Sequence, residues 1–223
     1  EVVRPMSTLL HQAERTKLAR TLSCEESALA AMDACSVEEM RQLRGIESDA
    51  LFGRHRSLFA KLAATTRLLP TGLSAQFTQR FIGPLLAARV AGEMDVKQAL
   101  ALSERLPDEF LADICLSLDP GRSGPILMAM PLNLVTGVAR ILLRRGECIV
   151  MAQLADAISD EAITAVTAEI RDPADLLRIG YYIESKARLE HIVDGLDDER
   201  LSSTLIAAQS EQLWPEALAM QDG

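Results

Sequence analysis

Aromatic residues are scarce in this sequence: Phe, Tyr and Trp together make up 4% of the chain. β-Sheets rely on β-branched and aromatic side chains, whereas the apolar residues here are mainly Leu, Ala, Ile, Val and Met. Leu, Ala and Met are strong helix formers. No segment alternates apolar and polar residues in the way that indicates a strand. The composition therefore predicts an all-α protein.

Cysteine is also infrequent, and none of its four copies forms a Cys-x-x-Cys pair. The residues before Arg15 contain no apolar stretch that resembles a signal peptide. We therefore expect free thiols in a reducing compartment, and a cytoplasmic location. The longest run without a charged residue, 123–139, is short for a membrane span and contains two prolines.

Catalytic and phosphate-binding motifs are missing as well. The three histidines are His11, His55 and His191, far apart in sequence. The segment Gly121-Arg122-Ser123-Gly124 is the nearest to a phosphate-binding loop, but it lacks the lysine of that motif and follows no strand, so we interpret it as a turn. The sequence therefore predicts a protein that is not an enzyme, although an unfamiliar site in a helical groove stays open as an alternative.

Acidic residues are absent from one long segment. Residues 50–92 contain none, but they include six basic residues, whereas residues 93–223 carry a net charge of −12. We favour the interpretation that the basic segment packs beside the acidic half of the same chain. Contact of 50–92 with an anionic membrane is a less favoured alternative. We expect no nucleic-acid partner, because the pI is near 4.9 and no basic cluster is interleaved with aromatics.

Helical periodicity extends along the whole chain. In the first part we predict a helix that Gly45 ends, a longer one over about 48–69, and one with Phe77, Phe81 and Leu85 on one stripe that Gly83-Pro84 kinks. From Asp95 onward the pattern changes to helices of about ten to twelve residues, several of which start at a proline.

Three of these short helices begin alike, with an apolar residue, a capping residue or proline, and then Asp-Glu. They start at 106–109 (LPDE), 158–161 (ISDE) and 196–199 (LDDE). A short helical hairpin cannot bury its apolar face alone, so such repeats stack on one another. The pattern predicts a superhelical repeat of the HEAT or armadillo kind with an N-terminal helical section. We place the helical section at 1–92, the repeat at 93–213 and a tail at 214–223.

The repeat resembles the cytoplasmic N domain of MgtE-type magnesium transporters over about residues 96–209. The resemblance lies in 106–111 (LPDEFL), 154–161 (LADAISDE) and 196–201 (LDDERL). It implies a right-handed superhelix of helical pairs, related to those of flagellar-motor FliG domains. No residue here matches a specific magnesium-ligand motif of that family, and residues 1–92 have no counterpart in it.

An acidic run near the end of the repeat is the one candidate metal site. His191 and Asp194 stand three residues apart, on one face of a predicted helix. Carboxylate oxygens suit Mg²⁺, although acids that only cap helices in solvent are the interpretation we favour. The candidate ligands are Glu190, His191, Asp194, Asp197 and Asp198. We expect no other cofactor.

Taken as a whole, the sequence favours a non-catalytic helical scaffold that binds a protein partner. The alternative is a Mg²⁺-responsive regulatory domain similar to the transporter N domain. The two hypotheses differ in what they expect of an added ion.

A thermal melt distinguishes these hypotheses. A Mg²⁺ site in the folded state would raise the melting temperature by several degrees in millimolar Mg²⁺, because an ion that binds only the folded chain stabilises it. The scaffold hypothesis predicts no shift with Mg²⁺, with Ca²⁺ or after chelation. A shift with one cation alone would contradict it.

Overall fold

Helices form all the regular structure in the residues described by the computed structural model, which are 6–22, 24–53, 56–66 and 70–210, with side chains described over 10–22, 24–46, 56–66 and 70–208. These residues contain no strand, and their helices pack against one another. The prediction of an all-α fold of stacked helices is confirmed.

Fourteen α-helices lie within the described residues. A 3₁₀ helix, Glu26–Ala34, separates the first two, and a π-helical turn, Thr78–Ile82, joins α4 to α5. The helices are α1 Met6–Leu22, α2 Val37–Gly53, α3 Arg56–Thr66, α4 Thr71–Phe77, α5 Gly83–Ala91, α6 Val96–Ser103, α7 Asp108–Cys115, α8 Pro120–Met128, α9 Leu132–Arg144, α10 Cys148–Ala155, α11 Asp160–Glu169, α12 Pro173–Tyr182, α13 Lys186–Asp194 and α14 Asp198–Ser210.

Capping residues begin the short helices where the sequence predicts. The three repeated Asp-Glu starts all open a helix, at α7, α11 and α14. The Asp119 and Asp172 carboxylates each accept a backbone N–H at 2.9 Å, from Gly121 and Ala174, at the starts of α8 and α12. Each cap satisfies N–H groups that the first turn of a helix leaves without partners.

Two predicted helix ends in the first part of the chain are wrong. Gly45 does not end a helix, because α2 continues through it to Gly53. Packing of α2 against α1 outweighs the low helix propensity of one glycine. The helix predicted over 48–69 is instead divided between α2 and α3. The predicted kink is present: the π-helical turn ends at Gly83, whose positive φ of 75° suits glycine.

Two compact units divide the chain. The terminal unit combines Glu1–Gly53 with Asp172–Gly223, and the central unit is Arg54–Arg171. The predicted boundary at 92/93 therefore falls inside the central unit, because α5 packs against α7 there. The predicted repeat 93–213 is shared between the two units. The predicted tail, 214–223, lies outside the described residues.

Helix α9 lies at the middle of the central unit, with α7 and α11 packed against it. Gly137 leaves room for the Asp108 side chain at the start of α7, because a Cβ at this position would collide with the Asp108 carboxylate as it is placed. Toward solvent, Arg140 on α9 donates two hydrogen bonds to Glu169 on α11, at 2.8 and 2.7 Å. Exposed pairs of this kind contribute little, about 0.2–1 kcal/mol each, so apolar packing carries most of the stability.

Five charged side chains form a network of ion pairs in the terminal unit, and two of them are buried. We call Glu14, Lys17, Arg41, Arg44 and Glu184 the ionic cluster. Lys17 Nζ lies 3.0 Å from Glu14 Oε1 and 2.8 Å from Glu184 Oε1. A second bridge runs from Arg44 to the same two carboxylates, at 3.1 Å and 2.5 Å. The cluster thus ties α1 and α2 to the segment between α12 and α13.

Two members of the cluster are buried, and the cluster is most sensitive to the loss of their partners. Glu14 and Lys17 are only 2% and 1% exposed. Burial alone would raise the pKa of Glu184, but attraction by Lys17 and Arg44 outweighs it, so this pKa lies below the ordinary 4.5. A charge left alone at such a place is strongly destabilising, typically by about 3–5 kcal/mol.

We expect Lys17→Met to lower the free energy of unfolding by about 1.5–3 kcal/mol, because it removes the ammonium that bridges the buried Glu14 and the partly exposed Glu184 and leaves both carboxylates only the arginines of the cluster. Glu184→Gln should also destabilise the chain. The matched control is Glu169→Gln, which breaks an exposed pair and should cost less than about 1 kcal/mol. Urea unfolding at neutral pH measures all three, and equal effects of Lys17→Met and Glu169→Gln would contradict a buried cluster.

The same experiment has a pH dependence with a definite sign. Because the folded pKa of Glu184 is depressed, its stabilisation is complete above the ordinary value of 4.5 and is lost as the pH falls through the folded value. Urea unfolding repeated at decreasing pH should therefore show a smaller loss of stability for Glu184→Gln than for the wild type. Parallel losses would contradict the depressed pKa.

Candidate functional site: an exposed apolar stripe

Four large apolar side chains lie on the surface of the central unit. They follow one another at intervals of four residues along α4, the π-helical turn and α5, and we call them the apolar stripe: Leu73, Phe77, Phe81 and Leu85. Their exposed fractions are 55%, 48%, 70% and 58%. The Phe77 and Phe81 ring centroids are 5.2 Å apart, within the range of attractive aromatic pairs. Phe77 and Phe81 therefore form an exposed aromatic pair, with Leu73 and Leu85 exposed on either side of them in the chain.

Small residues occupy the opposite, buried side of these helices. Ser74 and Ala75 are each 3% exposed, and Ala88 is 1% exposed. Ala75 and Ala88 belong to the core of the central unit together with residues of α7 and α9. Folding normally buries the largest apolar residues, so alanine inside and phenylalanine outside is the reverse of the usual distribution. The core does not use the apolar stripe, which leaves it available for binding.

The helices that carry and flank the apolar stripe contribute basic side chains but no acidic ones. Arg80 lies within the π-helical turn next to Phe81, and Lys61 lies on α3, which packs against α5; both side chains are exposed. Arg56 on α3 donates to Glu93 at 2.9 Å, so part of the basic segment pairs within the unit. The sequence from 50 to 92 contains no acidic residue.

The residues predicted to bind a metal are placed on α13 and at the start of α14, and all of them are exposed. Asp197 accepts the backbone N–H of Arg200 at 2.8 Å and so caps α14. Among the residues that the structure describes, no group of three or more His, Cys, Asp or Glu side chains could hold a metal ion. The magnesium site stays a prediction from the sequence.

Other sequence features take structural roles. The glycine-containing segment 121–124 forms the first turns of α8 and is capped by Asp119, so it is part of a helix rather than a free turn. All four cysteines are free thiols, with Cys148 buried and the others partly buried. The described helices include none long and apolar enough to cross a bilayer.

Periodicity alone identified the spacing of the apolar stripe but not its exposure. A row of apolar residues at helical intervals usually faces a core. The signal that could have revealed exposure is the opposite face, where Ser74, Ala75 and Ala88 give the helices a second face of small residues. Close packing of α5 on α7 requires small side chains on that face, and large ones must then point outward.

Comparison with known proteins gives no relative: no protein-family model, curated protein or solved structure matches this chain.

Proposed function

We propose that this protein is a non-catalytic helical interaction module, and that the apolar stripe is where its protein partner binds. The observation that supports this proposal is the exposure of Phe77 and Phe81 while alanines fill the core behind them. Exposed aromatic pairs are typical of binding hot spots. An exposed apolar surface that bound no partner would promote aggregation.

The partner that fits this face is an amphipathic helix with acidic flanks. The stripe extends from Leu73 to Leu85 through α4, the π-helical turn and the Gly83 kink, and its apolar side chains suit those that a partner helix presents at i, i+3, i+4 and i+7, over about two turns. Acidic residues beside that apolar face would be attracted by Arg80, the exposed chain neighbour of Phe81. Such charge complementarity speeds association and fixes the orientation of the helix.

An anionic membrane is a poorer fit for the same face. A bilayer is an extended charged surface that acts on the whole protein, and the chain carries a net charge of −9. A partner helix is small by comparison, and only charges within about 8–10 Å of it are felt strongly at physiological salt. Local positive charge near the stripe therefore favours a helix over a membrane.

A binding titration tests the proposal directly. The probe is a designed helix with leucines on one face and glutamates on its flanks, labelled and followed by fluorescence anisotropy. We expect the double variant Phe77→Ser, Phe81→Ser to weaken binding at least about tenfold, because two aromatic anchors are lost. The matched control is Leu205→Ser with Ile206→Ser, which changes exposed apolar residues of the terminal unit (45% and 66% exposed) and should leave binding unchanged.

Two further measurements, a titration at increasing salt and one with lipid vesicles, complete the experiment. Binding should weaken as salt is added, because charge contributes to it. Equal loss in both double variants would mean that the probe binds exposed apolar residues without preference, and would contradict the proposal. Binding to phosphatidylserine vesicles in place of the helix would assign the stripe to a membrane instead.

A further inference from the structure

An apolar cavity lies inside the central unit. Its volume is about 130 Å³, and helices α5 to α11 all contribute to its lining. The lining is almost wholly Leu, Ile, Val, Met and Ala, and it includes Leu106, Ile114, Leu127, Leu134 and Met151. An engineered apolar cavity of about 150 Å³ in another protein binds benzene. This cavity is therefore large enough for a small ring or a short alkyl chain.

One hydroxyl in the lining has no hydrogen-bond partner. Ser123 is 1% exposed, and its Oγ contacts no donor or acceptor among the described residues. The other two hydroxyl residues of the lining differ from it in this respect. Ser103 donates to Ala99 O at 2.9 Å, and Thr78 donates to Ser74 O at 2.8 Å. A buried hydroxyl without a partner is costly, which calls for an explanation at Ser123.

We propose that this cavity binds a small neutral molecule with an apolar body and one hydroxyl or carbonyl group, which hydrogen-bonds to Ser123. The apolar body fills the space between α7, α9 and α10, and the polar group satisfies the serine. A charged ligand does not fit, because the lining contains no ionisable side chain except the Cys115 thiol.

The surroundings favour an apolar occupant over water. A water molecule needs two to four polar partners, and the hydroxyl groups of Thr78, Ser103 and Ser123 are the only side-chain oxygens among the described residues of the lining. Burial raises the pKa of the Cys115 thiol to about 12, so it remains neutral and the cavity stays apolar. Methionine is flexible, and Met94, Met130 and Met151 let the lining adjust to a ligand.

The test is a pair of titrations of the full chain with phenol and with toluene, followed by the NMR signals of the Ile, Leu, Val and Met methyl groups. The two probes have similar size, and only phenol carries a hydroxyl. We expect both to shift methyl signals of the cavity lining, with phenol binding more tightly. Ser123→Ala should weaken phenol roughly two- to tenfold and leave toluene unchanged, since one neutral hydrogen bond is lost.

Ser103→Ala is the matched control, because it removes a lining hydroxyl that already has a partner. It should leave the preference for phenol intact. Ser123→Ala should melt no lower than the wild type without ligand, because an unpaired hydroxyl stabilises nothing. The proposal is overturned if neither probe shifts the lining methyl groups, or if Ser123→Ala binds phenol as the wild type does.

Discussion

Helices α6 to α13 are each eight to thirteen residues long, and helices this short are marginal in water when isolated. Their structure depends on apolar packing between neighbours, which covers one face of each. In the central unit α9 packs against α7, α10 and α11. The same requirement explains why α5 belongs with α7, although the sequence pattern changes between them. The apolar stripe is an exception to this requirement, because the packing leaves its large apolar residues exposed.

In the terminal unit, ion pairs connect segments that are far apart in the sequence. Lys17 and Glu184 are 167 residues apart in sequence, yet their side chains meet at 2.8 Å in the ionic cluster. Apolar residues could hold α1 and α2 to the segment after α12 more cheaply, since burying charge costs several kcal/mol per ion. We infer, however, that the network favours this pairing of segments, because Glu14 and Lys17 are buried and only the correct segments bring them partners. The cluster thereby specifies a unit built from the two ends of the sequence.

The helical fold could be predicted from the sequence because helix caps are local. Asp119 and Asp172, for example, accept hydrogen bonds from backbone groups within three residues of them. Long-range features were not accessible in this way. In the sequence nothing distinguishes Glu14 and Lys17 from the exposed charges of an ordinary surface helix. Only tertiary packing brings Glu184 to them. Ser123 was interpreted as part of a turn, since nothing local indicates the cavity that it lines. The helix end predicted at Gly45 was wrong because the packing of α2 against α1 outweighs the low helix propensity of one glycine.

An interaction module requires that its binding face is open in the free protein. Exposure of Phe77 and Phe81 can be measured directly by the attenuation of their ring-proton NMR signals with a soluble paramagnetic probe. Phe59, only 8% exposed, is an internal reference in the same unit. We predict the strongest attenuation at Phe81 (70% exposed), less at Phe77 (48% exposed), and little at Phe59. Protection of all three rings alike would mean that the stripe is covered, and would contradict the proposed binding face.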